Sequence, residues 1–120
     1  MIAMSSIKDA IEDLFNNPEL TTEDAVARHF TPSFRQRING NWIDHASFLA
    51  IMVSMREIVD HVTVTVLDEC FAEHSYAQRH VIDLLKHDGE RIVQEVYLFA
   101  KRGEDGRFDR IEETTLLIES

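Results

Sequence analysis

A chain of 120 residues, 44% apolar and 28% charged, has the composition of one ordinary soluble domain with a single hydrophobic core and is too short for two. Its formal net charge of −10 argues against nucleic acids and anionic membranes as partners, because either would approach against a repulsive field. Asp9, Glu12, Asp13 and Glu19 interrupt the start of the chain, so neither a signal peptide nor a membrane span is expected, and the cytoplasm is the expected location.

Helix 1 has a legible start, since Ser6 followed by Asp9 resembles a capping box, and Ile7, Ala10, Ile11, Leu14 and Phe15 recur at helical spacing. Asn16-Asn17-Pro18 ends it. A second helix opens at Thr21 or Thr22 with Glu23 and Asp24 in its first turn, and Thr31-Pro32 closes it. Phe34 to Ile38, Asn39-Gly40 and Asn41 to Ile43 read as a small hairpin, because Asn-Gly readily adopts the positive φ angles of a two-residue turn. Asp44 then caps helix 3, where Phe48, Ile51, Met52, Met55, Ile58 and Val59 form an apolar stripe. The methionines on that stripe read as core filler rather than a cofactor box.

After Asp60-His61 the period changes from helical to two, with Val62, Val64 and Val66 alternating with Thr63, Thr65 and Leu67. Further strands are expected over Ser75 to Lys86, Arg91 to Lys101 and Arg107 to Ile118, joined by the acidic-glycine turns Asp88-Gly89 and Asp105-Gly106. Strands this long must twist, and bulges let them bend, so a strongly curved, mostly antiparallel sheet is expected. Helices that all precede the meander can pack against one face of it, giving an α+β cone with an internal pocket. The domain is expected to occupy residues 1–120. Cys70, the single cysteine, has no disulfide or metal partner and reads as a small buried apolar residue or a bystander.

This order of elements resembles the nuclear transport factor 2-like superfamily, also called SnoaL-like or cystatin-like. The phrases that carry the likeness are His29-Phe30-Thr31-Pro32-Ser33-Phe34, Asn39-Gly40, Asp44 opening a helix, and Asp105-Gly106-Arg107-Phe108 entering the last strand. The resemblance implies an apolar cone between sheet and helices that holds a few polar groups, and an expected homodimer. Limonene epoxide hydrolases within that superfamily use an Asp-Arg-Asp set. Counting from the turn glycines, Arg79 falls at their arginine and Glu113 at one carboxylate, but Val81 stands where the second aspartate belongs. Ketosteroid isomerases are similar in architecture and place a carboxylate base before helix 3, where this chain has Arg35, Gln36, Arg37 and Asn39. A SnoaL-type cyclase needs a His or Asp to remove a proton beside a carbonyl, and here histidines and acids do lie on strands.

In the strand from Ser75, one face carries Ala77, Arg79, Val81 and Asp83, and the other carries Tyr76, Gln78, His80 and Ile82. The spacing match turns the Arg79 face inward and leaves His80 and Gln78 outside, under a partner subunit. On that reading Arg79 fixes an oxygen or carboxylate, Glu113 acts as base and Tyr97 donates a hydrogen bond, while Glu95 pairs with Arg79. Tyr97 also reads as a core residue with its hydroxyl at the rim. His80, Phe48 and Met52 complete the expected ligand contacts, and Trp42 belongs either to the pocket mouth or to the core. The histidines show no metal-ligand spacing, and proton transfer, cyclisation or dehydration requires no cofactor. The expected function is a small-molecule pocket, with or without acid/base catalysis, on an apolar carbonyl- or hydroxyl-bearing compound. The alternative is a noncatalytic binding or dimerisation module that uses the outer sheet face.

Overall fold

The structure is a computed structural model that describes residues 6–119; residues 1–5 and 120 of the expected domain lie outside the described residues. The elements run α1 (Ile7–Phe15), α2 (Thr22–His29), β1 (Phe30–Ile38), β2 (Asn41–Asp44), α3 (His45–Ile58), β3 (Val59–Phe71), β4 (Ser75–Lys86), β5 (Arg91–Arg102) and β6 (Phe108–Glu119). The six strands form one sheet in the order β2-β1-β6-β5-β4-β3, antiparallel throughout except where β1 runs parallel to β6.

Side-chain caps fix the helix starts. Ser6 Oγ accepts from the Asp9 amide at 3.1 Å, Thr21 Oγ1 from Asp24 at 3.1 Å, and Asp44 Oδ1 from Ser47 at 2.9 Å. Each satisfies an amide that the first helical turn leaves without an intrahelical partner. Asn16 ends α1 and ties it to the sheet: its Nδ2 donates to the Val62 carbonyl at 2.7 Å, and its Oδ1 accepts from the Val62 amide at 3.0 Å. One side chain thereby takes the place of a neighbouring strand along β3.

The sequence expectation changes at Thr31-Pro32. These residues lie inside β1 instead of closing α2, which ends at His29. Proline is tolerated there because the β1–β6 pairing is irregular between Phe30 and Arg35, so its missing amide breaks no regular rung. The Asn39-Gly40 turn has φ +48° and +91°, the positive pair that suits a tight hairpin. The α3 stripe is less buried than expected: Phe48 is in the core and Met52 partly so, but Ile51 and Ile58 are exposed. Cys70 is exposed, which removes its reading as a buried apolar residue.

The core fills the closed end of the cone. Phe30, Phe34 and Phe48 meet with ring centroids 4.7 to 4.9 Å apart, and Phe108 and Tyr76 extend the aromatic cluster. Bulges bend the sheet around it. The one in β3 between Val66 and Asp68 also shifts the alternation, so that Glu69, one residue later than strict alternation dictates, stands opposite Gln78.

Candidate functional site

Between the helices and the concave face of the sheet lies a cavity of about 200 Å³. Ile7, Ile11 and Phe15 of α1 and Phe48 and Met52 of α3 form its helical wall. The sheet contributes apolar Ile82, Val96 and Ile111 and four polar groups: Gln36, His80, Gln94 and Glu113. Among the described residues no Lys, Arg or Asp lines it.

The strand phase decides which polar groups enter. On β4 the concave face carries Tyr76, Gln78 and His80, all buried, while Arg79 turns to the convex face. The spacing-based expectation that Arg79 faces the pocket is therefore corrected. The physical reason is desolvation: burying Arg79 and Asp83 would cost more than burying Gln78 and a neutral imidazole. Arg79 instead donates from Nε and Nη2 to Asp68 at 3.0 and 2.7 Å and from Nη1 to Glu95 at 3.3 Å. Glu95 does pair with Arg79, but outside the cavity. Tyr97 follows them onto the convex face, 42% exposed, and so occupies neither expected position. Trp42 is also at the surface, with the Arg35 guanidinium 4.8 Å from its ring centroid, and lines neither cavity nor core.

Glu113, His80, Phe48 and Met52 do line the cavity. Gln36 Nε2 donates to Glu113 Oε1 at 2.5 Å. Burial pushes the Glu113 carboxyl above its ordinary range, and the Gln36 hydrogen bond opposes that only in part. Among the described residues no cation pairs with the carboxyl in the cavity wall, and a neutral amide and apolar surroundings face it.

His80 is 2% exposed, and burial lowers its pKa to about 4, so the imidazole is neutral at pH 7. Its Nδ1 lies 2.8 Å from Gln78 Oε1. Gln78 Nε2 donates to the Tyr76 hydroxyl at 2.9 Å and to Glu69 Oε2 at 3.1 Å, and the Tyr76 hydroxyl itself bonds to Glu69. Desolvation and Glu69 both raise the Tyr76 pKa, so the phenol keeps its proton. In the sheet, Gln78, Leu98 and Glu113 share one rung, and His80, Val96 and Thr115 share another two residues along. Two strand spacings put the Gln78 and Glu113 backbones roughly 10 Å apart, which leaves room for a ligand between side chains that reach in from both.

His80 is among the expected ligand contacts, yet family spacing turns its β4 face outward; the structure turns that face inward, with Gln78 buried beside it. Charge separates the two β4 faces along most of their length: one carries Arg79 and Asp83, whereas the other carries Tyr76, Gln78, His80, Ile82 and Leu84 before its one lysine, Lys86, at the strand end. Among the described residues, no three His, Cys, Asp or Glu side chains converge as a metal site. No helix among them is long and apolar enough to cross a membrane.

No family model matches the chain, and no curated protein does. Solved structures do match. A protein from Rhodopseudomonas palustris with a provisional isomerase assignment superposes with a TM-score of 0.72 at 13% identity, over 88% of this chain and 82% of that one. A provisionally assigned SnoaL-like polyketide cyclase from Jannaschia sp. CCS1 gives 0.67 at 11% identity, over 94% and 90%. AclR from Streptomyces galilaeus, provisionally assigned as a hydroxylase, gives 0.64 at 12% identity over 76% of this chain; the match spans 65% of AclR, under two thirds of its length. Similarity at these identities shows the fold, which is the nuclear transport factor 2-like, or SnoaL-like, α+β fold.

Proposed function

We propose that this single SnoaL-like domain of residues 1–120 binds a small uncharged carbonyl- or hydroxyl-bearing compound in the cone and moves a proton on it without a cofactor. The observation that carries this reading is Glu113: a carboxyl lining an apolar cavity, held by Gln36, with its pKa raised by burial. A carboxylate of that kind is a better base at pH 7 than an ordinary one. It would take a proton from carbon next to a carbonyl and return it to a neighbouring atom, the balance of an isomerisation or of the first step of a cyclisation. His80 is too weakly basic for that task. The size of the cavity favours one ring, since a 150 Å³ apolar cavity accommodates benzene and this one has about 200 Å³.

Deuterium exchange next to the carbonyl of 2-hydroxycyclohexanone, followed by proton NMR, tests the reading. Wild type is expected to accelerate the exchange, and Glu113→Gln to lose it by about 100-fold or more. Wild type that binds the ketone without accelerating exchange would leave a binding protein rather than an enzyme.

A second reading concerns the convex face, where Tyr97, Phe99 and Leu116 are 42, 49 and 55% exposed around the Arg79 ion pairs. Apolar side chains clustered on an otherwise solvated sheet face favour a homodimer that buries them. Sedimentation equilibrium tests it; a monomer at all concentrations rejects it. A cytoplasmic location completes the proposal.

A further inference from the structure

The cavity carries one device that the acid/base reading does not use. Glu69, exposed at the end of β3, accepts hydrogen bonds from both the Tyr76 hydroxyl and Gln78 Nε2. A carboxylate only accepts, so Gln78 must present its NH2 group to Glu69, and its carbonyl oxygen then points the other way. That oxygen is 2.8 Å from His80 Nδ1 and also only accepts, so Nδ1 must carry the imidazole proton. In a neutral ring the other nitrogen, Nε2, then has a lone pair and no hydrogen. Among the described residues no protein group is bonded to it, and the ring lines the cavity.

The chain is a lock and cannot act as a proton wire. A primary amide accepts at oxygen and donates at nitrogen, and passing a proton from one to the other would require an imidic-acid intermediate. Its effect is orientation. Tyr76 at 1%, Gln78 at 4% and His80 at 2% exposure are each held by the next, so ring rotation or a tautomer change at His80 would leave a buried polar group without a partner.

We propose that Glu69, Tyr76 and Gln78 hold His80 as its Nδ1–H tautomer, so that the cavity wall presents an obligate acceptor at Nε2 and selects ligands by an uncharged hydroxyl donor. Resting on the acid/base reading for its role in turnover, this inference names the ligand class of the same site: a one-ring compound whose hydroxyl reaches His80 while its acidic C–H or carbonyl end reaches Glu113. Gln78, Tyr76 and Glu69 are positioning residues, since each acts through His80. Carboxylate ligands are disfavoured because no cation among the described residues lines the cavity. A ketone or ether oxygen at that point would place two lone pairs face to face.

The test has two readouts, neither of which requires proton transfer. Nitrogen-15 NMR of histidine-labelled protein at pH 7 should show His80 as the Nδ1–H tautomer in wild type. Gln78→Leu should give the Nε2–H tautomer or a mixture. Tyr76→Phe keeps the ring packing and serves as a second variant in case Gln78→Leu does not fold; it should loosen the lock and broaden the same signals. The second readout is binding of phenol and of its methyl ether, anisole, by shifts of methyl resonances in the cavity wall. Wild type is expected to prefer phenol by about tenfold, the cost of leaving one buried acceptor unpaired, and the variants by about threefold or less. An Nε2–H tautomer in wild type overturns the lock. Equal binding of phenol and anisole, no binding of phenol, or stronger binding of benzylamine or benzoate overturns the ligand class. Failure of the acid/base reading would instead show as absent deuterium exchange with the tautomer and the phenol preference intact.

Discussion

The two faces of the sheet treat the same kinds of side chain in opposite ways. On β4, neighbouring residues Arg79 and His80 point to opposite sides: the arginine meets two carboxylates near water, and the histidine meets one amide oxygen inside a cavity. The glutamates divide likewise, with Glu95 paired to Arg79 outside and Glu113 held by Gln36 inside. Charge is retained where solvent and counter-ions support it. Where neither is present, the titratable groups shift towards their neutral forms, and neutral groups with displaced pKa values suit recognition and proton transfer.

The strongest way to break this comparison is to truncate one aromatic ring on each side. Phe108 is fully buried against Tyr76 and Phe30, so Phe108→Ala is expected to cost about 3–5 kcal/mol in urea denaturation. Phe99, half exposed on the convex face, should cost about 0.5 kcal/mol or less when cut to alanine in a monomer. A large loss at Phe99 would show that the convex face is itself buried, against a second copy of the chain.

A smaller effect separates the two titratable groups of the cavity by pH. His80 titrates near pH 4 in the folded chain against an ordinary 6.5, so between those values the unfolded chain binds the proton more readily. Stability assigned to His80 is therefore complete above pH 6.5 and falls on acidification, by up to about 3 kcal/mol at pH 4. Glu113 has the opposite sign. Its raised pKa makes the folded chain bind the proton more readily, so its burial costs stability at high pH and the cost lessens as pH falls through the folded pKa. Denaturation midpoints between pH 7 and pH 4 should flatten in His80→Gln and steepen in Glu113→Gln. Parallel curves for both variants and wild type would mean that neither group is desolvated.

The fold was legible because its signals are local and mutually consistent. Ser6 and Asp44 cap helices, Asn39-Gly40 turns a hairpin, and alternation from Val62 onwards commits the second half to strands. Glu113 is read from its spacing after Gly106, the position of one epoxide hydrolase carboxylate; its Gln36 partner lies on a distant strand and only the folded sheet brings the two together. The inward turn of the His80 face was not legible, because a period of two makes the faces of β4 equivalent until something breaks the tie. That tie is broken by the bulge after Val66, which brings Glu69 opposite Gln78, and by the cost of burying Arg79. No single residue announces a bulge, and the Glu69–Tyr76–Gln78–His80 chain joins two strands whose register only the folded sheet sets.

The smallest expected effect sharpens the comparison most, because it tests the residue that sequence spacing favoured. Arg79→Ala removes a guanidinium that is 41% exposed and bonded to Asp68 and Glu95 across the convex face. Ion pairs in such positions contribute little, since water and salt screen them and two long side chains lose freedom in forming them. The variant is expected to leave the urea midpoint nearly unchanged, the His80 tautomer as in wild type, and deuterium exchange on 2-hydroxycyclohexanone at the wild-type rate. Whatever shift it does show should fade with added salt. If Arg79→Ala abolished exchange while Glu113→Gln retained it, the reacting groups would have to sit on the convex face, and the cavity would be a structural void. Because the two variants differ in which side of the same sheet they alter, comparing their exchange rates locates the chemistry even before the natural ligand is known.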